Sequence, residues 1–189
     1  MNRIAMLVLP LTVLVACGGG GGGSSTPEGV FEKAKSAAKS KDWRTVYSCF
    51  NPQESDLFLF GMLMGASFST MSDKDVAKEL ESIQTKHGLK EHPDMKSMGG
   101  SDPSNRNDMA KEAVKDVKDK PGLFDDLMRF MEKQGKGGAA FESKFVDVTL
   151  KDVKITGETA TGQIVVADGK SRPTAFVRHE GAWYLSMER

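Results

Sequence analysis

Several groups of side chains have types and spacings that could do chemistry. His87, His92, Met95 and Met98 fall within twelve residues, and imidazole with thioether is a donor set that suits Cu(I). The chain has 11 methionines, however, most at helix-core positions where Met fills gaps, and the segment lacks further His/Met pairs. No metal or other cofactor is expected on these grounds. Ser36 and Lys39 have the Ser-x-x-Lys spacing of an acylating serine, but no Ser-Asp-Asn or Lys-Thr-Gly follows, so the match is set aside. Asp102 to Asp108 lacks the alternating ligands and glycine of a calcium loop. The six glycines after Cys17 are not a phosphate cradle, because no strand precedes them and no Lys-Ser or Lys-Thr follows. Cys17 and Cys49 are the two thiols.

The elements that would position these residues begin with an address. Arg3 is followed by an apolar run from Ile4 to Ala16 that Pro10 interrupts; it is too short for a membrane span of about 20 residues and reads as a secretory signal peptide, residues 1–16. Leu14-Val15-Ala16-Cys17 resembles the lipobox of bacterial lipoproteins. The resemblance implies cleavage after Ala16 and acylation of Cys17 with diacylglyceryl and amide-linked chains such as palmitate. Buried acyl chains contribute about 0.8 kcal/mol per methylene, so two or three hold a protein to a bilayer. Gly18 stands where an inner-membrane retention signal would have Asp, which directs the expectation to the outer membrane, on its periplasmic side or at the surface. Gly18 to Thr26 then reads as a glycine and serine tether (residues 17–26 with the lipidated Cys) whose reach is about 15–18 Å.

Composition narrows the partners. Removing residues 1–16 takes away one Arg and no acid, leaving 25 basic against 26 acidic side chains. That balance lacks the basic excess of a nucleic-acid binder, so no nucleic acid is expected. Residues 27–189 are one domain's worth. With Cys17 modified, Cys49 has no partner for an intramolecular disulfide, and its neighbours Tyr47 and Phe50 favour burial.

Helical periodicity runs through the first two thirds. Thr26 and Pro27 form a cap and first position, and Val30, Phe31, Ala34, Ala37 and Ala38 share a face. Asp42 caps a second, short helix with Trp43, Val46, Tyr47 and Phe50 inward; Trp43, like Trp183, is expected in the core. Asn51-Pro52-Gln53-Glu54 reads as a cap, a first-position proline and a capping-box glutamate. The third helix, Leu57 to Phe68, is apolar all round and is expected to be the central core helix, with Gly61 and Gly65 admitting a neighbouring backbone. Ser72 is expected to open a fourth helix that Gly88 stops. Lys90 to Asn107 has no periodicity and reads as a surface loop. A fifth helix from Asp108 is expected to carry Lys115–Asp119 and Asp116–Lys120 pairs, and Pro121 restarts a sixth that ends at Gly135.

The period then changes to two. Phe145 to Ile155 switches parity, which predicts a bulge near Lys151-Asp152. Thr159 to Ala167, Arg172 to His179 and Ala182 to Met187 complete four antiparallel strands, joined by turns at Asp168-Gly169 and Glu180-Gly181. Six helices followed by a four-stranded antiparallel sheet define an α+β fold.

Asp42-Trp43 with Val46 and Tyr47, and the hairpin Phe176-Val177-Arg178-His179-Glu180-Gly181-Ala182-Trp183-Tyr184-Leu185, resemble the nuclear-transport-factor-like superfamily of cystatin-type α+β cones. The resemblance covers residues 27–55 and 141–189. It implies a cone-like sheet that could enclose a ligand, with Phe176, Trp183 and Tyr184 as binding candidates. Enzymes of that superfamily, such as ketosteroid isomerase-like and dehydratase-like proteins, hold an Asp or His inside the cone; Asp147, Asp152 and His179 are the candidates here. A hairpin tip rarely shields a general acid or base. The expectation is therefore a lipid-anchored binding or scaffold module of the cell envelope with no catalytic residue, held to the bilayer through Cys17 and meeting an envelope protein or small ligand. The alternative is a small enzyme with a pocket acid or base.

Overall fold

The computed structural model describes residues 22–70, 73–89, 106–135, 145 and 147–187. The signal segment, Cys17, His92, Met95, Met98 and Ser72 lie outside the described residues. Six helices come first: α1 (Pro27–Lys39), α2 (Trp43–Ser48), α3 (Ser55–Ser69), α4 (Lys74–Lys86), α5 (Arg106–Val114) and α6 (Lys120–Lys133). Strands β1 (Val148–Thr156), β2 (Thr159–Val166), β3 (Ser171–His179) and β4 (Ala182–Ser186) follow and pair antiparallel in the order β1-β2-β3-β4. This is the expected α+β arrangement. No described helix is long and apolar enough to cross a membrane.

Local chemistry sets most of the boundaries. Thr26 Oγ1 accepts from Gly29 N at 3.0 Å, and Asp42 Oδ1 accepts from Thr45 N at 3.1 Å; each satisfies an amide that the first helical turn leaves without an internal acceptor. The cap of α4 is Asp73, one residue after the expected serine. Helix α5 stops at Val114, so the expected Lys115–Asp119 and Asp116–Lys120 pairs have no helix to bring them together. Asp119 instead caps α6 through Gly122 N at 2.9 Å and holds Arg44 of α2, while Lys120 pairs with Asp56 of α3 at 2.6 Å. These side chains tie helices to one another.

In the sheet, the β1–β2 register shifts between Lys151 and Lys154, with Asp152 at φ 53°; this is the expected bulge. Glu180 and Gly181, both at positive φ, form the two-residue turn between β3 and β4, whose backbone twist matches that of the strands. The outer edge of β4 is covered. Ser24 exchanges two backbone bonds with Trp183, at 3.0 and 2.7 Å, and Leu185 bonds Cys49 O and Asn51 N at 2.8 Å each. Capping an edge in this way removes a row of unpaired backbone groups. It also means that residues 22–26, expected as tether, have Ser24 docked on the sheet.

The core is centred on α1, α2 and α6 rather than on α3. Val30, Phe31 and Ala34 of α1, Trp43 and Val46 of α2, and Phe124 of α6 are fully buried. Helix α1 lies against β4 and β1, where Trp183, Leu185 and Val148 meet it as buried residues. Helix α3 contributes Leu59, Leu63 and Ala66. Its other side is open: Leu57 is 40% and Phe68 58% exposed, which corrects the expectation of an all-round buried helix.

Candidate functional site

The open side of α3 forms one wall of a solvent-connected cleft of about 1010 Å³. The opposite wall is the part of β2, β3 and β4 around Thr161, Ala175, Phe176 and Ser186, and Met131 of α6, Asn107 of α5 and Met187 complete the lining. On α3 the lining runs Leu57, Phe58, Gly61, Met62 and Gly65. A Cβ on Gly61 or Gly65 would meet nothing within 4 Å. The two glycines therefore do not admit a neighbouring backbone, as expected from the sequence; they leave a furrow facing the cleft. Phe58 is held from behind by ring contacts to Phe50 (5.0 Å) and Phe124 (5.6 Å), so this wall is rigid against the core.

Polar groups gather at the amino-terminal end of α3. Glu54 accepts from Ser186 Oγ at 2.9 Å, Met187 N at 2.6 Å and Asn51 Nδ2 at 2.6 Å. The expected capping box is not made, because Asn51 N is already donated to Leu185 O; the carboxylate turns instead to the end of β4. Helix α3 accordingly begins at Ser55, after the turn at 52–54. Glu54 is the only ionisable side chain among the described lining residues, and no cation faces it there.

The sequence-derived candidates are dispersed. Phe176 reaches the cleft, but Trp183 and Tyr184 are not part of its lining; Trp183 is buried and backbone-paired to Ser24, while Tyr184 lies over Gly23. Asp147 and Asp152 are exposed, and Asp152 borders another, smaller hollow of about 770 Å³ on the sheet. His179 stands beside the β3–β4 turn, 3.9 Å from Glu180. None of the three lines the cleft. His87 Nε2 lies 2.7 Å from Asp126 Oδ2, which also receives Lys86 Nζ at 2.7 Å; this cluster joins α4 to α6. No group of three or more potential metal-ligating His, Cys, Asp or Glu occurs among the described residues. Cys49 is fully buried, and burial pushes its thiol up to about 11. Sequence reading missed the cleft wall of α3 and the placement of Glu54; the available signal was the pair of glycines on one side of an otherwise apolar helix.

The chain matches no family model, no curated protein and no solved structure.

Proposed function

We propose that this chain is a membrane-anchored lipoprotein of the cell envelope whose α+β domain is a binding module, with the cleft between α3 and the sheet as its binding site. The cleft carries the reading: it is large, mostly apolar and open, and its one carboxylate is already held by three donors. Sites for small ligands are concave, mainly apolar and furnished with a few placed polar groups. The motif Leu14-Val15-Ala16-Cys17 and the preceding apolar run support the anchor. With Ser24 paired to Trp183, the tether would comprise Gly18 to about Gly21, a reach of about 10–12 Å, which keeps the domain close to the headgroups.

Two measurements test the two halves. Cys17→Ala should abolish palmitate labelling and release the processed protein from membranes or leave it unprocessed; labelling that persists removes the anchor. Nile red should gain fluorescence on the full-length chain and lose most of that gain in Gly61→Phe, whose ring would occupy the furrow; equal gain in both proteins removes the cleft as the site.

A further inference from the structure

We infer that the occupant of the cleft is an acyl chain of a zwitterionic phospholipid, with its headgroup amine directed to Glu54. The inference rests on the binding-module reading and names its ligand. Polarity is graded along the α3 wall: Asn51, Gln53 and Glu54 stand at its amino-terminal end with Ser186, and Leu57 to Gly65 are apolar. Leu57 and Gly65 are eight helical steps apart, about 12 Å, so a polar mouth is followed by an α3 wall that is apolar over about that length, facing Thr159, Thr161 and Asn107 among its other lining residues. This is the polarity profile of an amphiphile. Met62 of α3 and Met131 of α6 also line the cleft, and thioether side chains adapt their shape to flexible partners. At roughly 1010 Å³ the space is at the top of the range for small-molecule sites of about 300–1,000 Å³, as a chain with a headgroup requires.

Charge selects the headgroup. Glu54 brings a negative charge that no Lys, Arg or His among the described lining residues offsets. A fatty-acid carboxylate or an anionic headgroup would be repelled, whereas an ammonium group gains an ion pair. The Gln53 side-chain amide at the same end offers donors suited to the phosphate and ester oxygens, whereas Ser186 Oγ and Asn51 Nδ2 are already given to Glu54.

Two other occupants fit less well. A second copy would meet only a narrow stripe: fifteen residues of helix are about 22 Å long and 10 Å wide, or about 220 Å², against about 800 Å² per partner in a stable interface. A peptide strand added to β4 would find that edge already taken by Ser24 and Phe50.

The test is native mass spectrometry of the full-length Cys17→Ala chain in detergent, offered phosphatidylethanolamine or phosphatidylglycerol at equal concentration. A 1:1 adduct with phosphatidylethanolamine is expected, at least tenfold weaker in Gly61→Phe and in Gly65→Leu, with the circular dichroism spectrum confirming that each variant is folded. Glu54→Gln should erase the preference over phosphatidylglycerol while keeping the chain-dependent adduct. Equal adducts in the parent and both filled variants, a preference for phosphatidylglycerol, or a dimer in place of the adduct would overturn the inference. Nile red separates the two levels. Dye binding that the filled variants abolish, without any phospholipid adduct, leaves the cleft as the site and rejects only the lipid.

Discussion

Gly61 and Gly65 stand one helical turn apart on the open side of α3, and a side chain on either would enter empty space. Glycine in a helix interior costs about 0.8–1 kcal/mol relative to alanine, so the two together weaken α3 without any close packing to offset the loss. Gly61→Ala and Gly65→Ala should each stabilise the fold by about that amount. The melting temperature should rise by about 2–4 °C for a domain of this size. A fall in either variant would show that another part of the chain occupies the furrow.

Gly122 presents the opposite case. A Cβ there would stand 2.2 Å from Asp119 Oδ2 and 2.5 Å from Arg44 Nη2, inside the cap of α6. Gly122→Ala should displace the Asp119 carboxylate and cost about 0.5–2 kcal/mol, the range for a lost amino-terminal cap. Chemical denaturation measures it. Because the loss acts through Asp119, combining Gly122→Ala with Asp119→Ala should add little, and an additive double variant would show that the two act separately.

Cys49 should be silent in the native protein. Its side chain is fully buried and its thiol is pushed up to about 11 by burial, and the thiolate is the reactive form. Labelling with iodoacetamide at pH 8 should proceed only as fast as the protein unfolds, and freely in urea. Rapid labelling without denaturant would contradict the burial. Cys49→Ser should cost about 1–3 kcal/mol if the hydroxyl finds no acceptor in that site.

Acid should weaken the fold through three aspartates. Burial opposes ionisation of Asp126, but the Lys86 ammonium and the His87 ring outweigh it and lower its pKa. The Thr45 hydroxyl and amide lower that of Asp42, and the Arg44 guanidinium lowers that of Asp119. A carboxyl with a depressed folded pKa contributes stability that is present above the unfolded value of about 3.9 and lost as pH falls through the folded value. The urea midpoint should therefore drop below about pH 4. Asp126→Asn should be less stable at pH 7 and lose less on acidification; a parallel loss in both proteins would remove Asp126 from the account.

Much of the fold was legible because local chemistry decided it. Thr26 and Asp42 cap the helices they precede, and the parity switch between Leu150 and Val153 does mark a bulge, with Asp152 in the left-handed region. The cleft was harder to read, since α3 is apolar on every side and only Gly61 and Gly65 mark the side on which Phe68 is exposed while Leu59 is buried. Glu54 misled for a different reason: its spacing fits a capping box, but the amide it would have held is taken by β4, a partner more than a hundred residues away. Lys120 and Asp119 sit at helical spacing from acids and bases that they do not meet, because tertiary partners on α3 and α2 hold them.

The paired backbone bonds between Ser24 and Trp183 have a mechanical consequence. A pull on Ser24 along β4 loads both bonds at once in shear instead of opening them one after the other. The load passes directly to Trp183, buried in the core, before it reaches α1. Under such a pull the release of Ser24 from the sheet would be the first event, ahead of any loss in the helical layer.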